Sequence, residues 1–209
     1  MTNLLGAVTR EVDEREGPEG PRAVVRIRRT YDTTIEDLWE AITTAERIPR
    51  WFLPVTGELR VGGRFQLEGN AGGEVLACEP PQRLAITWEM GEDIGWVDVS
   101  LAADPAGGTR LVLEHSAPAG GEHWDKFGPG AVGIGWELGL MGLGLHLAAG
   151  GAAVDPAEVM TWQMTEGART LVRGSNDAWC AAAIAAGTPE AEARARADRT
   201  LAAYRGETV

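Results

Sequence analysis

The sequence predicts an α+β fold in which an antiparallel sheet wraps around one long helix, with a helical C-terminal extension. Residues 22–115 contain short segments in which apolar and polar residues alternate, as in an antiparallel sheet with one buried face. Residues 130–151 are apolar around nearly the whole circumference of a helix, which predicts that this helix is buried on all sides. The strand-like and helix-like segments are grouped rather than alternating along the chain, which favours α+β over α/β.

The N-terminal part of the chain predicts a loop, a strand and a helix. Residues 1–21 are polar and acidic and end in a Gly- and Pro-rich turn, so we expect a short strand near residues 7–12 in an otherwise partly flexible segment. Apolar residues then alternate with arginines over residues 22–28, which predicts the first long strand. Thr33 and Glu36 have the spacing of a capping box and predict the start of a helix.

The remaining elements follow in the order meander, long helix, extension. Residues 55–115 alternate between strand-like segments and turns, which predicts a meander of antiparallel strands. A loop over residues 117–130 leads into the long helix, and helical regions follow at 156–186 and 188–204, the second with Pro189 in its first turn. We therefore divide the chain into an N-terminal segment (1–21), a core domain (22–151) and a helical extension (152–209).

The apolar helix over residues 130–151 must be covered by protein or by lipid. Lipid is disfavoured because Glu137 and His146 would lie at membrane depth, and because the flanking residues Pro129 and 150–155 include no Lys or Arg. We therefore expect no membrane insertion. The extension, or a second copy of the chain in a homodimer, would cover the side that the sheet leaves open.

The composition narrows the classes of partner. The net charge is −12, from 31 acidic and 19 basic residues. Such a surface repels phosphate backbones and anionic lipids, so we expect no nucleic-acid partner. Cys78 and Cys180 are too few for a disulfide framework. Since the first ten residues also lack the basic and apolar regions of a signal peptide, we expect a cytoplasmic protein.

Several short motifs occur in a fixed order between Arg22 and His115. They are Leu38-Trp39 on a helix, Trp51-Phe52, Gly62-Gly63-x-Phe65, Gly73-x-Val75, Pro80-Pro81-x-Arg83-Leu84, Thr87-Trp88 and Thr109-x-Leu111-x-Leu113-x-His115. In this order, and followed by a long helix, they resemble the START-like (SRPBCC, helix-grip) superfamily and, within it, the homologues of the activator of heat-shock protein ATPase. The resemblance covers most of residues 22–150 and does not extend past Asp155.

The resemblance implies a helix-grip fold, with an antiparallel sheet around one long helix and two short helices at one end. It also implies an apolar cavity between sheet and helix that holds lipids, sterols, polyketides or other hydrophobic small molecules. Some members of the superfamily are cyclases or hydrolases. The eukaryotic activators have a separate N-terminal chaperone-docking domain for which this chain has no room, which argues against a chaperone partner.

The candidate cavity lining consists of aromatic side chains, one leucine and two polar residues: Trp39, Trp51, Phe65, Trp88, Trp96, His115, Trp136, Glu137 and Leu140. Aromatic side chains form rigid apolar walls and an indole N–H can orient a ligand, although each also fills an ordinary core. The long helix contains five glycines that each lower helix stability by about 1 kcal/mol relative to Ala. We expect these glycines to make room either for a ligand or for close packing of the extension helices: Gly133, Gly135, Gly139, Gly142 and Gly144.

His115 and Glu137 are the polar candidates. His115 shares a strand face with two leucines and would need a carboxylate or hydroxyl partner to act as a general base, and a hydrogen-bonded histidine at the sheet edge is the alternative. Glu137 would face a cavity or an interface, and burial without a partner would raise its pKa. Glu122, His123 and Asp125 lack a fourth ligand at the usual spacing, so we predict a solvated loop there, and no metal or cofactor.

These observations together predict that the protein binds a hydrophobic small molecule, lipid- or polyketide-like, in a cavity between the sheet and the long helix, without catalysis. One alternative is a cyclase- or hydrolase-type enzyme on the same scaffold that uses His115 or Glu137. The other is a protein-interaction module that acts as a chaperone cofactor or as a homodimer.

Overall fold

The computed structural model describes residues 7–18 and 20–208. The strands of these residues form one eight-stranded sheet in the order β1-β2-β8-β7-β6-β5-β4-β3, and each neighbouring pair from β3 to β8 is antiparallel. The strands are β1 (Thr9–Gly17), β2 (Gly20–Tyr31), β3 (Val55–Gly57), β4 (Arg64–Leu67), β5 (Gly72–Glu79), β6 (Arg83–Met90), β7 (Asp93–Ala103) and β8 (Thr109–Pro118). The predicted α+β fold with an antiparallel sheet and one long central helix is confirmed.

The helices lie between β2 and β3 and after β8. They are α1 (Ile35–Thr43), a 3-10 turn (Ile48–Arg50), α2 (Glu122–Phe127), α3 (Pro129–Ala148), α4 (Pro156–Gln163), α5 (Glu166–Ala185) and α6 (Glu190–Tyr204). Helix α3 is the long helix that the sequence predicts.

The chain folds into two compact units. The helical unit comprises the described residues of Met1–Ile27, together with Pro118–Leu138 and Asp155–Val209, and the sheet unit comprises Arg28–Ala117 and Gly139–Val154. The first half of α3 therefore belongs to the helical unit and its second half to the sheet unit. This division follows contacts in space, whereas the three segments predicted from the sequence follow the order of the chain.

Strand β1 is longer than the sequence indicates. We predicted a strand near residues 7–12 and otherwise a partly flexible loop, but Thr9–Gly17 is continuous strand at the edge of the sheet, beside β2. Its sequence is mostly charged, which removes the apolar alternation that identifies a strand but suits an exposed sheet edge. The part of this segment before residue 7 lies outside the described residues.

Helix α1 begins one residue later than the predicted capping box. Thr34 is the N-cap, and its hydroxyl oxygen accepts a 3.2 Å hydrogen bond from the backbone N–H of Asp37. Thr33, the predicted cap, instead donates its hydroxyl to Asp37 Oδ2 at 2.6 Å. The capping function was therefore predicted in the right place but assigned to the wrong threonine.

We predicted that helix α3 is buried on all sides, but part of its surface is exposed. Leu145 is 45% exposed and Gly135 is also exposed, while Leu143 and His146 are fully buried. Two of its three exposed positions, Gly135 and Ala148, carry small residues. The length and mean hydropathy of α3 are sufficient for a membrane span. The core helix of a soluble protein has the same properties, so they do not distinguish the two.

Two corrections concern the helices around the extension. Residues 122–127 form α2, where we predicted a loop, and the first predicted helical region, 156–186, divides into α4 and α5 at Met164–Thr165. Thr165 ends the interruption by capping α5, because its hydroxyl oxygen accepts from the N–H of Ala168 at 3.2 Å.

The extension packs within its own chain, in the helical unit. Side chains of α6 donate to the last three carbonyl groups of α2. Arg196 Nε bonds to Asp125 O at 3.1 Å, Arg199 Nε to Lys126 O at 2.6 Å, and Thr200 Oγ1 to Phe127 O at 2.7 Å. The C-terminal carbonyls of a helix lack intrahelical partners and attract cations, so these side chains of α6 satisfy the C-terminal end of α2.

Candidate functional site

The sheet unit contains an apolar cluster on the face of β4, β5 and β6. Its buried centre consists of Phe65, Leu67 and Val75. Half-buried hydrophobic side chains surround this centre: Ile48, Phe52, Leu53, Val55, Leu59, Cys78, Leu84, Ile86 and Trp88. The structure thus places two of the predicted candidates, Phe65 and Trp88, in one cluster whose outer members remain partly accessible.

The strand register places His115 on the same face as Trp88. Trp88 pairs with Gly95, and two residues further along β7 Val97 pairs with His115. Residues paired across antiparallel strands share a face, and so do residues two apart on one strand. The two rings meet edge to face, with centroids 6.2 Å apart and an interplanar angle of 63°.

Gly95 creates the space that the imidazole occupies. A Cβ atom at Gly95 would lie 2.7 Å from His115 Nε2, which is closer than such atoms approach in proteins. Gly95 cannot be recognised from the sequence, because its importance depends on which residue of β8 lies opposite. Glycine within a strand often marks such a close approach.

His115 is a neutral polar group in apolar surroundings. Its side chain is 8% exposed, and burial lowers the pKa of the imidazole to about 4. At neutral pH the ring therefore has one nitrogen that donates and one that accepts hydrogen bonds. A base with this pKa is weak at pH 7, so His115 suits hydrogen bonding to a ligand better than proton abstraction.

Trp51 and Phe52 lie against the second half of α3, within the sheet unit. Their rings stack with centroids 5.3 Å apart, and Trp51 Nε1 donates to the carbonyl of Ala41 at 2.9 Å. A Cβ atom at Gly142 would lie 2.5 Å from the carbonyl oxygen of Trp51, and one at Gly139 would lie 3.2 Å from the Phe52 ring. These two glycines therefore make room for Trp51 and Phe52, and not for the extension helices that we had considered.

Leu140 contributes its backbone as well as its side chain. The side chain is 3% exposed, and the carbonyl oxygen accepts from Arg29 Nη1 at 2.8 Å and from the Tyr31 hydroxyl at 3.0 Å. Burial raises the pKa of Tyr31 well above its usual range, so the hydroxyl stays protonated and donates. Gly144 admits Arg29 to the helix surface, since a Cβ atom there would lie 2.7 Å from Arg29 Nη2.

The other candidate residues lie elsewhere. Trp39 is 8% exposed on α1, and its carbonyl oxygen accepts from Thr43 Oγ1. Trp96 pairs with Thr87, so it lies on the opposite face of the sheet from Trp88. Trp136 is half-buried in the part of α3 that belongs to the helical unit, together with Glu137.

Glu137 forms a buried ion pair. Arg10 of β1 donates to both carboxylate oxygens, with Nε–Oε1 at 2.6 Å and Nη2–Oε2 at 2.7 Å, and Trp179 Nε1 donates to Oε1 at 2.7 Å. The side chains of Arg10 and Glu137 are each 8% exposed. Gly133 makes room for this arrangement, because a Cβ atom there would overlap the Trp179 indole. With its oxygens held in this way, Glu137 serves as a structural anchor of the helical unit.

A second polar network, absent from our predictions, joins α1 to the end of α3. Arg47 Nη1 binds Asp37 at 2.8 Å, and Arg47 Nε donates to Nε2 of the fully buried His146 at 3.0 Å. His146 Nδ1 lies 2.7 Å from the carbonyl oxygen of Ala152, so the tautomer with its proton on Nδ1 matches both contacts. The hydroxyl of Thr33 and then Arg47 lower the pKa of Asp37.

The residues considered for a metal lie on α2. Asp125 pairs with Arg196 at 3.4 Å, and the His123 ring lies against Phe127 with centroids 5.0 Å apart. Within residues 7–18 and 20–208, no three His, Cys, Asp or Glu side chains are grouped closely enough to hold a metal ion.

Comparisons with known proteins agree with this fold. The family model described as "Activator of Hsp90 ATPase homolog 1-like protein" matches residues 32–147. The crystal structure of CalU16 from Micromonospora echinospora is 34% identical, covers 84% of this chain and 98% of its own, and has a TM-score of 0.66. Comparison with curated proteins gives no match.

Two further solved structures are more distant. MLL2253 from Mesorhizobium loti is 26% identical and covers 60% of this chain and 97% of its own, with a TM-score of 0.54. DynU16, from the dynemicin biosynthetic locus, is 22% identical and covers 61% of this chain and 48% of its own, with a TM-score of 0.53, which indicates a shared fold alone. From the family match, which spans more than half of its length, and from its similarity to CalU16, the chain belongs to the family of activator of Hsp90 ATPase homolog 1-like proteins.

Proposed function

We propose that the protein binds a hydrophobic small molecule, lipid- or polyketide-like, on the apolar cluster of the sheet unit, and that it does so in the cytoplasm without catalysing a reaction. The observation that supports this proposal is the half-buried rim of Leu84, Ile86 and Trp88 around a buried centre, with the neutral imidazole of His115 against Trp88. Apolar walls with one or two polar groups are typical of small-molecule sites.

His115 would be the polar anchor of this site. A neutral imidazole in apolar surroundings binds a hydroxyl or carbonyl group of a ligand without a charge to desolvate. The same group would be a weak general base, because its pKa of about 4 keeps it far from the pH at which a base works best. The enzyme alternative also loses support at Glu137, whose oxygens are held by Arg10 and Trp179.

Two tryptophans on neighbouring strands provide a matched test. Trp88 and Trp96 are both half-buried, but they lie on opposite faces of the sheet. We expect Trp88→Ala to weaken binding of a neutral fluorescent probe, N-phenyl-1-naphthylamine, by about tenfold, since loss of one aromatic contact of about 1.4 kcal/mol changes Kd by that factor. Trp96→Ala should leave the Kd unchanged.

Native mass spectrometry of protein purified from its own host provides the second test. A retained small molecule that is lost in Trp88→Ala and kept in Trp96→Ala would support the proposal and report the subunit count. Equal effects of the two substitutions on probe and retained molecule would refute it.

A protein-interaction role is the second candidate function. Met160 of α4 is 68% exposed, and Met164, the residue that follows α4, is 75% exposed. Exposed methionines are common on surfaces that bind other proteins. The assay is the ATPase rate of the host Hsp90 with and without the protein: stimulation that Met160→Gln with Met164→Gln abolishes would support this role, and an unchanged rate would exclude it.

A further inference from the structure

The helical unit contains a small cavity at the N-terminus of α3. Its volume is about 10 Å³, and it lies where α3 meets α5 and α6. Pro129 and Gly130 of α3, Asn176 and Cys180 of α5, and Arg196 of α6 are among its lining residues. A volume of roughly 10–15 Å³ is enough for one water molecule and too small for any organic ligand.

Asn176 presents an unsatisfied acceptor to this cavity. Its side chain is 2% exposed, and within the described part of the chain its Oδ1 atom has no hydrogen-bond partner. A Cβ atom at Gly130 would lie 3.1 Å from this oxygen, so Oδ1 points at the first turn of α3. A buried amide oxygen without a donor is unfavourable, which indicates that something at this position donates to it.

The first turn of α3 presents the complementary donors. The N–H groups of a helix that precede its first intrahelical hydrogen bond have no carbonyl partner within the helix. In α3 these are the amides of Gly130 and Ala131, because Pro129 has no N–H. Gly130 is buried, so bulk solvent does not reach its amide freely.

The other polar side chains that line the cavity either have partners already or are poor hydrogen-bond donors. The Arg196 guanidinium bonds to Asp125 O through Nε at 3.1 Å and to Glu192 through Nη2 at 2.7 Å. Burial raises the pKa of the Cys180 thiol, which therefore stays protonated and is a weak donor. An anion would satisfy the helix N-terminus but would be repelled by Asn176 Oδ1.

We propose that this cavity binds one ordered water molecule, which accepts a hydrogen bond from a first-turn amide of α3 and donates one to Asn176 Oδ1. Water is the species of this size that both accepts and donates. The site joins the buried start of the long helix to α5 of the extension, a connection that no direct side-chain bond from Asn176 Oδ1 makes within the described residues.

Crystallography of the full chain at high resolution tests the proposal. We expect a single peak about 2.7–3.2 Å from both Asn176 Oδ1 and an amide nitrogen of Gly130 or Ala131. Asn176→Leu, which removes the acceptor and fills the volume, should lose this peak. Ser175→Ala is the matched control, because Ser175 is also 2% exposed, its hydroxyl oxygen has no hydrogen-bond partner among the described residues, and it does not line the cavity. Its variant should keep the peak.

Two outcomes would overturn the proposal. One is the absence of a peak in the wild-type crystal. The other is an anomalous signal at this position after a bromide soak, which would identify an adventitious ion only. Should Asn176→Leu not fold, water-to-amide nuclear Overhauser effects on the wild-type protein decide the question: a cross-peak at Gly130 or Ala131 that persists in Cys180→Ala supports bound water, and no cross-peak refutes it.

Discussion

Two glycine-to-alanine substitutions in the same helix should change stability in opposite directions. Gly135 is exposed, and a Cβ atom there would make only an ordinary 3.7 Å contact with the Tyr204 hydroxyl. Gly142 lies against the backbone of Trp51, and a Cβ atom there would be 2.5 Å from its carbonyl oxygen. Both variants gain the same intrinsic helix propensity, so the difference between them isolates the close contact.

The magnitudes follow from these two terms. Alanine in place of glycine should stabilise a helix by about 1 kcal/mol, and Gly135→Ala should gain most of it. Overpacking against a rigid neighbour costs about 1–3 kcal/mol, so after the gain of about 1 kcal/mol in helix propensity we expect Gly142→Ala to lose up to about 2 kcal/mol in total. For a chain of this size, about 1 kcal/mol changes Tm by about 2–4 °C, which predicts a rise for Gly135→Ala and a fall for Gly142→Ala.

Urea unfolding followed by far-UV circular dichroism, together with thermal melts, measures both effects. The wild-type protein and the double variant complete the set, since distant sites should contribute additively. Equal stability of Gly142→Ala and Gly135→Ala would refute the proposed close contact at Gly142. That result would mean that the second half of α3 does not approach Trp51 closely.

Two further predictions concern buried charge. The folded-state pKa of His115 is about 4, below its ordinary value of 6.5. The free energy of unfolding should therefore be unaffected by this group above pH 6.5 and should decrease as pH falls from 6.5 towards 4, by about 3 kcal/mol. His115→Asn should lack this part of the acid-induced loss, and an unchanged pH profile would contradict the prediction. Arg10→Met should destabilise the protein by about 3–5 kcal/mol, because it leaves the Glu137 carboxylate buried without its cation. Adding Glu137→Leu should restore much of this loss, as measured by urea denaturation of the two single variants and the double variant. Additive losses would show that the two residues do not act as a pair.

The predictable part of the candidate site is the part defined by strand alternation. Phe65, Trp88 and His115 were expected to face inward, and the strand register places Trp88 and His115 on one face. The same alternation puts Trp96 on the other face, so grouping it with Trp88 had no support in the pattern of β7. The network of Arg47 and His146 escaped prediction because the two residues are 99 positions apart and follow no local motif.

Sequence alone determined the element order, the one-sided burial of the strands and the position of the long helix, because these depend on periodicities of two and 3.6 residues within short segments. Tertiary structure decided what the buried Glu137 and the glycines of α3 contact. Glu137 meets Arg10, 127 positions away, and Gly133, Gly139, Gly142 and Gly144 make room for protein side chains or backbone. Such pairings arise only when distant elements are packed at native density, where a carboxylate needs a partner and a missing side chain admits a neighbour.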